Sequence, residues 1–172
     1  MGIDTDALAN LSLIKGFISY AHDDHDALVN VRTHLKPIER QFNIDFWADN
    51  RIKPGDYWTH EIGQAIDDAA VHVLLASPGF FASDYIYHHE LPAIKSRYRS
   101  GALVMPVVVK RCCWAHELGS LQATPMNPMG RLLPISEWRP RDHGYDAMRA
   151  QMVTAIQSHF KIDPLTPDWT KP

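Results

Sequence analysis

Short apolar runs alternate with amphipathic stretches along the chain. Five runs have the length and the β-branched or aromatic content of strands, at residues 16–20, 44–47, 71–76, 103–109 and 132–135. Between the first two, Leu28, Val31, Leu35 and Ile38 recur at helical spacing after a candidate N-cap, Asp23 or Asp24. Similar helical patterns cover residues 58–69, 83–98 and 145–160. This alternation predicts a five-stranded parallel sheet with helices on both faces.

Two segments depart from the ideal pattern. Pro106 lies inside the fourth apolar run, where it has no N–H for a sheet ladder, so that strand either starts after it or lies near an edge. Residues 110–130 hold few periodic apolar positions and predict a long irregular loop.

Length and composition indicate a single domain. The chain has 172 residues, 45% of them hydrophobic, which suits one substantial core and is too short for two ordinary domains. We predict an N-terminal extension over 1–14 and the domain over 15–160. The Pro-containing segment 161–172 is typical of a linker, so we expect a sensor or oligomerising module beyond Pro172.

Charge and cysteine content indicate which classes of partner and which cellular compartment to expect. The net charge is −3 with scattered Lys and Arg, which argues against direct binding to nucleic acid. The two cysteines are the neighbours Cys112 and Cys113, which favours a reducing, cytoplasmic location. No signal peptide and no apolar run of about 18 residues is visible, so we expect no membrane association.

Three loops should converge at the carboxyl ends of the strands, where open parallel sheets bind ligands. They are residues 21–24, 49–58 and 77–87. These loops and their flanks carry polar and aromatic side chains that could hold a polar, ring-bearing ligand: Tyr20, His22, Asp49, Arg51, Trp58, Ser77 and Glu90.

Glu90 is unusually placed for a surface carboxylate. Helical spacing puts it on an apolar face with Ile86 and Ile94. Pro92 follows, which would free the carbonyl of His88 and bend or restart the helix. A carboxylate beside a kink at the rim of a cleft is a functional candidate. The alternative is a glutamate that caps the restarted helix.

Other chemistry finds little support in the sequence. His88 and His89 are adjacent on a helix and point in different directions, so we predict no metal site. Cys112 and Cys113 lack the spacing of a redox pair. The chain has neither a Gly-x-Gly-x-x-Gly motif nor a Walker A loop. Trp47 is a core candidate.

Several segments, in order along the chain, resemble the TIR (Toll/interleukin-1 receptor) domains, in particular their bacterial members. The similar segments are Phe17-Ile18-Ser19-Tyr20, Phe46-Trp47-Ala48-Asp49, Ile52-Lys53-Pro54-Gly55-Asp56-Tyr57-Trp58, Glu61-Ile62 with Ala65-Ile66, Ser77 to Tyr85, Glu90-Leu91, and Met105-Pro106-Val107-Val108 with Trp114. The resemblance covers residue 15 to about residue 160. It implies a flavodoxin-like three-layer fold, in agreement with the predicted five-stranded parallel sheet.

The resemblance also implies an activity. Catalytic members cleave NAD between nicotinamide and ribose with the glutamate that matches Glu90, and they bind NAD as a substrate, with no cofactor. Cleavage develops positive charge on the ribose, which an ionised carboxylate stabilises best where water is excluded. Nicotinamide leaves as a neutral molecule, so a single carboxylate suffices.

Further site residues follow from the same resemblance. Tyr20 and His22 match positions that contact the dinucleotide, and Asp49 is a candidate partner for its ribose or adenine. We add Ser19, Trp58, Ser77 and Tyr85 as substrate-binding candidates. Many relatives have tryptophan four residues before the glutamate, where this chain has Ile86, and Tyr85 stands five before.

Three functions remain open on sequence alone. The first is an NAD glycohydrolase of bacterial antiviral defence, active on self-assembly, that yields nicotinamide and ADP-ribose or a cyclic form of it. The second is a non-catalytic scaffold for TIR–TIR contacts, with Ile52, Pro54 and Gly55 in the contact surface. The third is a nucleoside or nucleotide transferase on a similar sheet.

Overall fold

A parallel sheet forms the centre of the molecule. The computed structural model describes residues 12–49 and 58–165. Its sheet contains β1 (Ile14–Ser19), β2 (Ile44–Ala48), β3 (Val71–Ala76) and β4 (Leu103–Val108) in the order β2-β1-β3-β4. All adjacent pairs are parallel, with Gly16 opposite both Phe46 and Val71. Strand order therefore reverses between β1 and β3, as in a flavodoxin-like fold.

Helices connect the strands and cover both faces. They are α1 (His25–Phe42), α2 (Trp58–Asp68), α3 (Pro78–Ala82), α4 (Leu91–Arg99), α5 (Trp114–Leu118) and α6 (Arg141–Phe160), with 3₁₀ turns at His22–Asp24 and Ile135–Glu137. A π-helical turn, Ile86–Glu90, leads into α4. The predicted α/β fold with a parallel sheet between helical layers is confirmed.

Alternate residues of the strands face two separate hydrophobic clusters. Ile18 and Val73 point towards α1 and α6, whereas Phe17 and Leu74 point towards α2 and α4. Trp47, a predicted core residue, is partly buried and stacks on Phe17 with ring centroids 5.7 Å apart. This alternation places Ser19, two residues after Phe17, on the α2–α4 side.

The predicted fifth strand at 132–135 does not form as such. Leu132 makes an isolated antiparallel bridge to Met126, and Ile135 begins a 3₁₀ turn. Pro134 lies directly before that turn and has no N–H to donate to a ladder. The part of the chain that the structure describes therefore has four strands in its sheet, one fewer than the apolar pattern predicted.

Pro106 lies in the middle of β4, at the end of the observed strand order. Its carbonyl accepts a hydrogen bond from the Thr124 N–H at 2.9 Å, on the side away from β3. The N–H and C=O of one strand residue face the same side, so the missing donor faces this outer edge and costs no bond to β3. Of the two alternatives predicted for this strand, the edge position is confirmed, and a start after Pro106 is wrong.

The segment 110–130 is more ordered than its sequence suggested. It contains α5, and Thr124 makes a parallel bridge to Val107. None of the helices within 12–49 and 58–165 is both long and apolar enough to cross a membrane.

Candidate functional site

Glu90 is the last residue of the π-helical turn. The Leu91 N–H bonds to the Ile86 carbonyl, five residues back. Pro92 comes next and has no N–H, so the regular helical pattern cannot continue through it, and α4 begins with proline in its first turn. The expected restart of the helix takes the form of a π turn that leads straight into α4, a feature often found at functional sites.

The Glu90 carboxylate is buried and points at the end of β1. Glu90 is only 7% exposed. Its Oε2 accepts a hydrogen bond from the Ser19 hydroxyl. Although Glu90 occupies the N-cap position of α4, its side chain makes no capping hydrogen bond. The alternative of a helix cap is therefore wrong, because the carboxylate faces β1.

Burial changes the acidity of this carboxyl group. Desolvation raises the pKa of Glu90 from 4.5 to about 7, and the negative charge of Asp49 acts in the same direction. The hydrogen bond from Ser19 opposes the shift. Glu90 therefore changes charge near neutral pH, as a group tuned for chemistry often does.

A small cavity adjoins the carboxylate. Its volume is about 30 Å³, roughly the share of one water molecule in the liquid. Its lining combines residues from β1, the loops after β1 and β2, α2 and the π turn: Phe17, Ile18, Ser19, Tyr20, His22, Asp49, Ile62 and Glu90. Five predicted site residues, Ser19, Tyr20, His22, Asp49 and Glu90, thus meet in one place.

Tyr20 ties the loops after β1 and β2 together. Its hydroxyl donates to the backbone carbonyl of Asp49 at 2.5 Å. Burial raises the Tyr20 pKa, and the negative charge of Asp49 adds to the shift. The phenol is therefore neutral at neutral pH and acts as a hydrogen-bond donor.

The aromatic side chain near Glu90 is that of Tyr85, since position 86 holds isoleucine in this chain. Ile86 is 3% exposed and packs in the α2–α4 cluster. The half-buried Tyr85 stacks on His89 with ring centroids 5.0 Å apart. Burial raises the Tyr85 pKa, and the negative charge of Glu90 contributes. Tyr85 is thus close enough to sense the carboxylate, although it does not line the small cavity.

Ser77 lies away from this cavity. Its hydroxyl is fully buried, accepts the Phe80 N–H at 3.0 Å and donates to Asp24. A contact between Ser77 and a ligand stays a prediction, which this placement does not favour. Sequence reasoning missed Ile62 as a wall of the cavity and Lys110 as a partner of Asp24 at 2.6 Å.

Some predicted site residues fall outside the described part. Arg51, Ile52, Pro54 and Gly55 belong to the segment 50–57, and nothing is described of the Trp58 side chain. Within 12–49 and 58–165, no three His, Cys, Asp or Glu residues are grouped so that they could hold a metal ion.

A larger cavity lies elsewhere and does not include Glu90. It has a volume of about 630 Å³ and is mainly apolar, with walls from β4, the end of α4 and α6 that include Leu103, Met105 and Met152. Size alone would favour this cavity for a ligand. The buried carboxylate and the convergence of predicted residues favour the smaller one.

Comparison with known proteins agrees with the fold. A family model described as "TIR domain" matches residues 17–150, so the chain belongs to the TIR domain family. It is also similar to "Uncharacterized protein y4lF" of Sinorhizobium fredii (strain NBRC 101917 / NGR234), with 35% identity over 135 residues. That match covers 75% of this chain but only 39% of the relative, so the chain spans well under half of the relative's length.

Proposed function

We propose that this TIR domain is an NAD glycohydrolase in which Glu90 is the catalytic residue. The observation that carries the proposal is the buried Glu90 carboxylate, held by Ser19 at the carboxyl end of β1. Membership of the TIR family, which includes NAD-cleaving members, supports it. The resemblance further suggests a role in bacterial antiviral defence, in which loss of NAD would halt an infected cell.

The reaction breaks the bond between C1′ of the ribose and the nicotinamide nitrogen. The bonding electrons leave with nicotinamide, which changes from a cation to a neutral molecule, and positive charge develops on the ribose. The ionised Glu90 carboxylate stabilises that charge, as carboxylates do in glycoside cleavage. Water then adds at C1′ and loses a proton, giving ADP-ribose, or an adenine nitrogen adds instead, giving a cyclic product.

The two oxygens of Glu90 have different tasks in this proposal. Oε2 is engaged by the Ser19 hydroxyl, so we assign Oε1 to the ribose. A pKa of about 7 leaves a large protonated fraction in the free protein at neutral pH. The cationic nicotinamide ring would favour the ionised form when NAD binds, since an opposite charge nearby lowers a carboxyl pKa.

The surrounding residues have supporting roles. We assign Tyr20, His22 and Asp49 to contacts with the dinucleotide, because they line the cavity beside Glu90. Phe17 and Ile62 are buried apolar walls that exclude water and strengthen electrostatic stabilisation. Tyr85 is our candidate for the ring beside nicotinamide.

A scaffold that only associates with other TIR domains is the second candidate. The observation that favours it is the cavity volume of about 30 Å³, far below the roughly 300–1,000 Å³ of ligand sites. NAD would enter only after the lining side chains move. Self-association of TIR domains could provide that rearrangement, so assembly and catalysis are compatible.

The experiment is to incubate NAD with the wild-type protein and with Glu90→Ala over a wide range of protein concentration. Release of nicotinamide is followed, and linear and cyclic ADP-ribose are separated. We expect release that depends on Glu90 and rises more than proportionally with protein concentration. No release by wild type at any concentration, even when fused to an oligomerising partner, would favour the scaffold.

A further inference from the structure

An ion pair between a buried aspartate and a lysine whose side chain is 52% exposed, Asp24 and Lys110, lies at the carboxyl edge of the sheet, beyond the residues that line the Glu90 cavity. Asp24, only 3% exposed, ends the 3₁₀ turn that begins at His22. Its Oδ1 meets the Nζ of Lys110 at 2.6 Å, and its Oδ2 accepts a hydrogen bond from Ser77. Both carboxylate oxygens of Asp24 are therefore engaged.

These contacts cross the point where strand order reverses. Asp24 follows β1, Ser77 directly follows β3, and Lys110 comes two residues after β4. Since β1 and β4 are separated by β3, the Lys110 side chain spans the end of a strand to reach Asp24. The crevice at which open sheets usually bind ligands is thus occupied by a salt bridge in this protein.

Asp24 is also bonded to Ser77, which begins the segment that leads to Glu90. Ser77 is the N-cap of α3, with its hydroxyl accepting the Phe80 N–H. Gly79 lies against the turn after β1, since a Cβ built on it would be 3.4 Å from Ala21 Cβ and 3.6 Å from Asp24 Oδ2. From α3 the chain runs through Ser83 directly to the π turn.

The Asp24–Ser77 hydrogen bond, with Lys110 on the other oxygen of Asp24, therefore joins two halves of the candidate site. On one side is the turn that presents His22, and on the other is the segment that ends in Glu90. A buried carboxylate is costly unless it is paired and hydrogen-bonded, so loss of Lys110 would destabilise this arrangement of the turn. The turn and α3 would then separate more easily.

We propose that Asp24, held by Lys110, is a positioning residue that fixes the turn after β1 against the segment carrying Glu90. The effect on NAD cleavage rests on the function proposed above. The coupling between the two segments does not, because it can be measured without substrate.

The test compares Lys110→Ala with Arg111→Ala. Arg111, the next residue along the chain, is a matched control because it also forms an ion pair, with Glu137 at 2.8 Å. Its side chain is 81% exposed. Amide hydrogen exchange is measured for residues 22–28, for 78–91, and for α6 as an internal reference. The conservative variant Lys110→Arg tests whether a positive charge at this position restores the protection from exchange. If Lys110→Ala does not fold, Ser77→Ala takes its place.

We expect Lys110→Ala to raise exchange in residues 22–28 and 78–91 by about tenfold, with α6 unchanged. Arg111→Ala should match wild type, and Lys110→Arg should restore most of the protection. Under conditions where all variants stay folded, kcat for NAD cleavage by Lys110→Ala should fall by about tenfold.

Two results would overturn the inference. One is equal exchange in Lys110→Ala and Arg111→Ala, and the other is altered exchange with unchanged kcat. If wild type cleaves no NAD, the proposed activity fails, and the exchange data alone then decide whether Lys110 couples the two segments.

Discussion

The hydroxyl of Ser19 donates a hydrogen bond to Oε2 of Glu90, joining residues that are 71 positions apart in the sequence. Ser19 is the last residue of β1, and Glu90 is the last residue of the π turn. Both residues are buried, and this bond orients the carboxylate and lowers its pKa against the larger rise that burial causes.

Under the proposed function, the Ser19 hydrogen bond should determine the pH at which NAD cleavage begins. If only ionised Glu90 supports cleavage, kcat/KM rises with pH through a midpoint near the Glu90 pKa of about 7. Ser19 lowers that pKa, so Ser19→Ala should move the midpoint to higher pH. We expect kcat/KM to fall roughly tenfold at about pH 6, with little change at about pH 9.

The measurement is a pH profile of nicotinamide release for wild type and Ser19→Ala. Thr124→Ala is a suitable control, because it also removes a buried hydroxyl that hydrogen-bonds to a side chain, that of Gln151. A midpoint that is the same in all three proteins would contradict the assignment of Glu90 as the titrating group.

Burial of Glu90 should reduce the stability of the fold. Its folded pKa of about 7 lies above the unfolded value of about 4.5, so the stability it contributes is fully present below about pH 4.5. That contribution is lost as pH rises through about 7. Glu90→Gln removes the charge, so we expect its free energy of unfolding at about pH 8 to exceed that of wild type by about 2–3 kcal/mol.

Urea unfolding of both proteins at about pH 5 and about pH 8 measures this difference. The gain in Glu90→Gln should be small at the lower pH and larger at the higher one. A variant that is less stable than wild type at about pH 8 would show that the carboxylate helps to hold the fold.

His72 should make the fold sensitive to acid. It is fully buried in β3. Desolvation, with the positive charge of Arg97, lowers the His72 pKa from 6.5 to about 4. The unfolded chain therefore takes up a proton first as pH falls, and about 3 kcal/mol of stability is lost between about pH 6.5 and about pH 4.

The variant His72→Leu should flatten this part of the stability curve. Glu90 contributes a slope of opposite sign in the same range, so the comparison is clearest in a Glu90→Gln background. His116→Gln is the control, since the His116 side chain is 84% exposed. Equal acid sensitivity in His72→Leu and His116→Gln would contradict the role of His72.

The sequence predicted the sheet and the main helices because their apolar positions recur at regular spacing. The prediction of a fifth strand was wrong because residues 132–135 are apolar but do not pair with a neighbouring strand, and Pro134 has no N–H to donate. A short apolar run does not by itself distinguish a strand from a buried turn. Pro106, in contrast, was informative because its missing N–H restricts a strand to the edge.

The candidate site was partly predictable for a similar reason. Glu90 stood out because a carboxylate shared a helical face with Ile86 and Ile94, next to Pro92. The π turn was not predicted, since it depends on which backbone carbonyl accepts the hydrogen bond from the Leu91 N–H. The Asp24–Lys110 pair was missed because it joins residues 86 positions apart, and only the folded sheet brings them together.

The proposed role of Glu90 as the catalytic residue is tested most directly by nicotinamide release from NAD, compared among wild type, Glu90→Gln and Glu39→Gln. Glu39 is a matched control because its side chain is 12% exposed, accepts a hydrogen bond from the Phe46 N–H and does not line the cavity. At one high protein concentration and about pH 8, Glu90→Gln should be slower by about 1,000-fold, and Glu39→Gln should resemble wild type. Equal rates for folded Glu90→Gln and wild type would contradict the account.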